Sequence, residues 1–340
     1  MARIFLTGAS GYIGGDVLHL LKTSHPEYEC SILLRDSGKA AAISKVFPDV
    51  RVVLGDLDAA TLIEEEAAKA DVVINAASNK NMTCVEAIAR GLNKRSGAKP
   101  GATGHWIQVS GASVISVPDI LAGTFGEGSS KNYGDVENAE EVRDIISKNA
   151  GMRVVDNHLL NKVTGPQTAI IFPPIIYGEG RGVTKQRSVQ IPELSRVAIE
   201  TRQVVQVGKG ESTWSNIHIA DLSDLFVKLV EKAVQGSEEA LWNQNGLYFV
   251  GNSMLSFGKI SQLVAEAAHS LGLTDTTTVK SLSADEADKL WAPARIFWGT
   301  NARMEGQRAS RLLGWSPQKH SVEQEIPTTV KVEATRLGKL

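Results

Sequence analysis

The chain has 340 residues, 42% hydrophobic and 22% charged, the balance of one large globular domain or of a large domain with a smaller lobe attached. Lys and Arg number 36 against 38 Asp and Glu, a formal charge of −2, which offers no electrostatic case for nucleic acid or an anionic membrane as the main partner. No run of 18 apolar residues is present, and Cys30 and Cys84 lie in no CxxC or ligand-like cluster, so a reduced, cytoplasmic protein with no metal site and no membrane span is expected.

The opening MARIFLTG enters a strand at once, so no signal or transit peptide is expected, and the closing GKL is not the peroxisomal SKL. Near-continuous apolar runs at 3–6, 30–34, 50–54, 71–77, 105–110 and 168–172 fit parallel strands covered on both faces. Helical patterns fall between them at 12–22, 38–47, 59–69, 80–96 and 136–162. This βαβ alternation predicts an α/β fold, a doubly wound parallel sheet of the Rossmann type, over residues 1–173. The stretch 112–135 has no clear period and reads as a long loop of the kind that forms lids. Past residue 173 the regularity breaks. Short strands are expected at 204–208 and 247–251, and helices at 188–202, 222–234, 256–271 and 304–313. Residues 174–340 are therefore expected to form a smaller C-terminal substrate lobe, with segments returning to the main sheet.

Between the first strand and helix, FLTGASGYIGG holds Gly8, Gly11 and Gly14 in GxxGxxG spacing. The strand–turn–helix context gives that spacing its meaning. Gly8 permits the tight turn, Gly11 lets backbone approach a pyrophosphate, and Gly14 lets helix and strand pack closely. The helix N-terminus, opening at Ser10, Tyr12 and Ile13, offers amides and partial positive charge to phosphates. The second strand ends ILLRDSGKA, so the first polar side chain is Arg35, with Lys39 near it. A guanidinium there suits the 2′-phosphate of NADP, whereas Asp36 could serve the ribose of NAD. NADP is the expected cofactor, with NAD possible.

The chain resembles the extended and atypical short-chain dehydrogenase/reductase superfamily, and within it the NAD-dependent epimerase/dehydratase-like and NmrA-like proteins. TGASGYIGG matches the first motif. GDLDAATL resembles the segment after the third strand, which implies adenine contacts from Asp56 and Leu57. NAAS resembles the ribose-side motif and implies Ala76, Ala77 and Ser78. FPPIIYGEG resembles the nicotinamide-side run RPxxVYGPG and implies Phe172 and Pro173, with Phe172 in the place of the usual Arg. WSNIHIADL, with His218 and Asp221, is similar to a substrate-lobe motif, and ASRLLGWSP is similar to the closing helix and turn.

The resemblance also implies a Tyr with a Lys four residues on, one helical turn apart, in the helix before the sixth strand. None of Tyr12, Tyr28, Tyr133, Tyr177 and Tyr248 is followed by such a Lys. Met152 and Asp156 occupy the expected positions, with Arg153 between them. The candidates for the missing role are Ser110 at the end of the fifth strand, Tyr133 beside Lys131, and Lys80 just past NAAS. Asp156 and His158, two apart on a helix, face different ways, so Asp156 is expected to pair with Arg153 as surface or lobe-bridging structure. His218 is expected to tether the lobe, with Asp221 as the cap of the next helix. Residues 185–188, Trp214 and 293–299 are further candidate substrate contacts. Two functions fit: an NADP(H)-dependent oxidoreductase acting on a small ketone, imine or conjugated alkene, or a non-catalytic NAD(P)-sensing regulator. The partner expected is a small molecule; the oligomeric state is open.

Overall fold

The computed structural model describes residues 1–95, 103–236 and 239–340. Its elements begin with β1 (Arg3–Thr7), α1 (Tyr12–Ser24), β2 (Glu29–Leu34), α2 (Ser37–Val46), β3 (Arg51–Leu54), α3 (Ala60–Lys69), β4 (Val72–Asn75), α4 (Met82–Asn93) and β5 (His105–Val109). Next come α5 (Val117–Ala122), β6 (Tyr133–Gly134), α6 (Ala139–Lys148), α7 (Val154–Asn161), β7 (Gln167–Phe172), β8 (Ile175–Tyr177), α8 (Gln190–Thr201), β9 (Val205–Val207), β10 (Thr213–His218) and α9 (Ile219–Gln235). The chain continues with β11 (Leu247–Phe249), β12 (Ser253–Ser256), α10 (Phe257–Ser270), β13 (Lys280–Leu282), α11 (Ala284–Leu290) and α12 (Ala294–Phe297). It closes with β14 (Met304–Glu305), α13 (Arg308–Leu313) and α14 (Val322–Arg336).

Strand β1 shows how the sequence builds the core. Successive strand side chains point to opposite faces. Ile4 and Leu6 join Val17, Leu18 and Leu21 of α1 and Phe226 of α9 in one buried cluster. Phe5 joins Ile63 and Ala67 of α3 with Val85 and Ile88 of α4 in another. Repeated across the sheet, this alternation gives a seven-stranded parallel Rossmann sheet with helices on both faces, in the order β11-β7-β5-β4-β1-β2-β3. The order reverses between β1 and β4, and the crevice at the carboxyl ends of the strands there is where such sheets receive ligands. Outside this sheet three small sheets form, β12-β10-β8, β13-β9 and β14-β6, and α8, α10 and α14 pack on one another. Among the described residues, no helix is long and apolar enough to cross a membrane.

Several elements differ from the sequence expectations. The pattern over 136–162 is two helices, α6 and α7, separated by a turn at 149–153, where Asn149 Nδ2 donates back to the Ile145 carbonyl. Each half is amphipathic, so periodicity alone could not reveal the break. The stretch 112–135 is not structureless. It carries a 3₁₀ turn at Ala112–Val114, then α5, then β6 against β14, and its Asp119 accepts from the Asn301 amide at 2.7 Å. The span 304–313 is a strand followed by a helix. Helix α9 starts at Ile219, capped by His218 Nδ1, which accepts from the Ala220 amide at 3.1 Å. Asp221, expected as the cap, instead accepts from the Gln318 and Lys319 amides. The last residue of the helix expected at 80–96 lies outside the described residues. Strands β8, β10, β12 and β13 and helices α11, α12 and α14 were not foreseen.

Candidate functional site

The turn from β1 to α1 is held by close backbone approaches. Gly8 has φ +86°, and a Cβ there would lie 2.6 Å from the Ala76 carbonyl. At Gly14 a Cβ would lie 2.3 Å from the Gly8 oxygen. Gly11 is the N-cap of α1 and no side chain caps that helix, so its first-turn amides and dipole are left for an anion.

Two adjoining cavities open at this edge of the sheet and share Gly11 and Ala76. The first, about 480 Å³, is lined by Gly8 and Ser10, by Arg35, Asp36 and Lys39 after β2, by Gly55, Asp56, Leu57 and Asp58 after β3, and by Ala77 and Asn81 after β4. Asp36 caps α2 by accepting from the Lys39 amide at 3.0 Å, and that backbone bond holds its carboxyl below the ordinary range. Arg35 and Lys39 are exposed beside it. The second cavity, about 420 Å³, is lined by Tyr12 and Ile13, Ser110, Pro173, Pro174 and Ile176, Lys185, Ser188, Val189 and Gln190, and Phe297. An uncapped helix, a glycine cradle and a long groove with cations at one end fit a dinucleotide in extended form.

Buried polar bonds brace the floor. Thr7 Oγ1 donates to Asn75 Oδ1 at 2.6 Å, and Asn75 Nδ2 donates to Gln108 Oε1 at 2.9 Å. The far wall is tied to α1. Tyr12 donates its hydroxyl to the Gly178 carbonyl at 2.6 Å, and Thr184 donates to the Ser10 carbonyl at 2.9 Å. Fully buried Asp16 accepts from the Arg181 amide at 2.7 Å, from its guanidinium at 2.5 Å and from Ser223 at 2.6 Å. Burial opposes that charge, but the Arg181 contacts win and hold the Asp16 carboxyl below its ordinary range.

No free phenol faces the groove. Tyr12 is engaged as described, and burial pushes its hydroxyl well above the ordinary range. Tyr177 donates to the His320 carbonyl and Tyr248 to the Leu241 carbonyl. Tyr28 stacks on His25. Tyr133 is buried in β6 opposite Met304, with the Lys131 ammonium over its ring, and lines neither cavity. Lys80 is exposed and lines neither cavity. Of the sequence candidates for catalysis, Ser110 alone lines the groove.

Behind Ser110 lies a cluster that sequence reasoning misjudged. Its hydroxyl donates to Asp156 Oδ2 at 2.9 Å and accepts from Arg153 Nη2 at 2.7 Å. Arg153 also pairs with Asp156 at 2.6 Å and bonds Ser113 at 3.3 Å. Arg153 and Asp156 do pair, but buried against β5 rather than at the surface, with side chains 8% and 3% exposed. The pair was visible as residues three apart; its depth depends on the turn at 149–153, which the pattern hid. Burial raises the Asp156 carboxyl above its ordinary range, against the pull of Arg153 and Ser110. Its Oδ1 is buried with no hydrogen-bond partner among the described residues. Met152 is exposed.

The remaining candidates are placed as follows. Pro173 lines the groove, whereas Phe172 is buried edge-on against Phe249. Ser78 accepts from the Lys80 and Asn81 amides. Lys185, Ser188 and Phe297 line the groove. Arg187 is held by Glu193 and Glu333, and Trp214 is buried, donating to the Thr300 carbonyl. Among the described residues, no group of three or more His, Cys, Asp or Glu could hold a metal ion.

Residues 4–88 match the model of the NAD dependent epimerase/dehydratase family. Over 346 aligned residues, the chain is 37% identical to oxidase ucsJ of an Acremonium species, covering 99% of each chain. Its fold is similar to that of DesIV, a dTDP-glucose 4,6-dehydratase of Streptomyces venezuelae solved with NAD and TYD bound, at TM-score 0.64 and 15% identity over 99% and 98% of the two chains. It is also similar to UDP-glucose 4-epimerase of Thermotoga maritima, solved with UDP-glucose, at TM-score 0.62 and 13% identity over 98% and 99%.

Proposed function

The chain belongs to the extended short-chain dehydrogenase/reductase superfamily, and from that premise we propose that it is an oxidoreductase that uses NADP(H) and acts on a small ketone, imine or conjugated alkene or the reduced partner of one. The observation that carries the reading is the groove: two cavities joined at Gly11 and Ala76, one ending in Arg35 and Lys39, the other in Ser110. The α1 amides and the glycine turn would hold the pyrophosphate. Asp56 and Leu57 would flank the adenine, and Ala76, Ala77 and Pro173 would line the path toward the nicotinamide. Once bound, the dinucleotide would supply a hydride acceptor or donor; the protein would supply position and a mostly apolar wall, and positioning alone can give a large part of an acceleration. The 37% identical relative is named an oxidase, which supports redox chemistry over epimerisation.

Fluorescence titration with NADPH and NADH, followed by turnover of a panel of cyclic ketones, imines and enones, tests this. Binding of NADPH with turnover of at least one class is expected; binding of neither nucleotide overturns the proposal. A second reading, a non-catalytic sensor similar to NmrA-like proteins, is favoured by one observation. Met152 and Asp156 stand where the family carries its Tyr and Lys. Tight nucleotide binding without turnover of any panel member would select it.

A further inference from the structure

Ser110 has one proton and two lone pairs to place. The proton goes to Asp156 Oδ2 and one lone pair takes the Arg153 N–H. The second lone pair is left for the groove that Ser110 lines. In this state Ser110 is an acceptor, so the group that best meets it is a hydroxyl that donates, not a carbonyl. The Ser110 proton already points at Asp156 Oδ2, which also accepts from Arg153 Nε at 2.8 Å, while Oδ1 is buried with no partner among the described residues, so Oδ2 is the oxygen that would take that proton. Arg153 is the charged group whose field reaches it, and the guanidinium stays protonated throughout.

We propose that Ser110 and Asp156 form a proton relay replacing the missing Tyr/Lys pair, and that the substrate couple is a secondary alcohol and its ketone. This rests on the oxidoreductase reading above. In the oxidising direction the carbinol C–H bond breaks and its electron pair leaves as hydride to the oxidised nicotinamide dinucleotide. The O–H proton passes to Ser110 Oγ as the proton of Ser110 passes to Asp156. The products are the ketone, the reduced dinucleotide and a protonated Asp156, which later releases its proton to water. Reduction runs the same path backwards. Ser110 is the catalytic residue; Asp156 and Arg153 are positioning residues that act through it. An imine or an activated alkene would need no such relay.

The test has two arms. In nucleotide-free protein, the ¹³C carboxyl resonance of Asp156, assigned by its loss in Asp156→Asn, is titrated with pH. Removing the hydroxyl in Ser110→Ala deletes a bond that favours the charged carboxylate, so the midpoint should rise; an unchanged midpoint overturns the relay. In the second arm, cyclohexanol and a panel of secondary alcohols are oxidised with NADP⁺ and NAD⁺. Ser110→Ala should lower kcat on the order of 100-fold, with KM and nucleotide affinity within about twofold, and Ser110→Thr should restore most of it. Asp156→Asn should remove the acidic limb of the kcat–pH profile. If Asp156→Asn does not fold, the Ala and Thr pair at Ser110 decides. Nucleotide binding with no alcohol oxidised, or with Ser110→Ala unimpaired, overturns the relay alone. Absence of nucleotide binding by the native protein overturns the oxidoreductase reading itself.

Discussion

At the scale of single residues, the proposed preference for NADP(H) rests on the end of β2. Arg35 and Lys39 bring two cations to the rim of the adenine-side cavity, while Asp36 is already committed to the Lys39 amide. A carboxylate occupied as a helix cap is a poorer partner for a ribose hydroxyl than a free one. The guanidinium beside it is suited to grip a phosphate through two N–H groups. Arg35→Ala should therefore weaken NADP(H) binding by roughly tenfold or more, the cost of about one charge-assisted bond, and leave NAD(H) within about twofold. Calorimetric titration of both nucleotides measures this, and equal losses for the two would show that Arg35 does not read the 2′ position. Arg35 was legible in the sequence because the motif fixes where the strand ends. Its neighbour's engagement was not, because whether Asp36 caps α2 depends on backbone angles that residue identities do not state.

At the scale of elements, α1 is the most constrained piece. Its packing on β1 requires Gly14, where any side chain would meet the Gly8 carbonyl at 2.3 Å. The obstacle is backbone rather than a flexible side-chain tip, so the helix itself must move. Gly14→Ala should cost about 1–3 kcal/mol by overpacking and also lower nucleotide affinity, since the shifted helix carries the amides proposed to hold the pyrophosphate. Urea unfolding and nucleotide titration on the same variant separate the two effects. The central elements were readable because each strand is apolar on both faces and each helix on one. What escaped had a weaker signal. β8, β12 and β13 are three or four residues long, too short to show a period. The break between α6 and α7 separates two halves with similar faces. The Ser110–Arg153–Asp156 cluster joins β5 to α7 across 43 and 46 residues of chain, so its residues could be seen but not their meeting.

At the scale of the whole molecule, stability carries a pH dependence traceable to His218. This ring is buried among Tyr177, His320 and the Gly178 turn. Burial, with His320 adding to it, pushes its pKa down to about 4. Its Nδ1 accepts from the Ala220 amide, a bond only the unprotonated nitrogen can make. The unfolded chain, titrating near 6.5, binds more protons than the folded one between these values. Stability should therefore fall as pH drops from about 6.5 toward 4, by up to roughly 3 kcal/mol from this group. Asn at position 218 keeps a capping oxygen and has no titrating ring. His218→Asn should therefore lose about 2 kcal/mol less than the native protein between pH 7 and pH 4.5, as read by denaturant unfolding at each pH. Parallel curves would show that the ring is not held neutral.

The Asp16–Arg181 pair gives the molecule a mechanical property of its own. One carboxylate on α1 holds the backbone and the guanidinium of a residue in the segment that walls the far cavity, and the same helix presents the uncapped amides proposed to hold the pyrophosphate. A dinucleotide that stiffens this helix is expected to quieten residues 178–188 through this pair, and whatever free energy couples the two ends must be the same whichever ligand binds first, because coupling between two binding events is reciprocal. Asp16→Asn, which strands part of that charge network, should uncouple the two ends. Amide hydrogen exchange at 178–188 would then stop responding to added nucleotide, although residue 16 lines neither cavity.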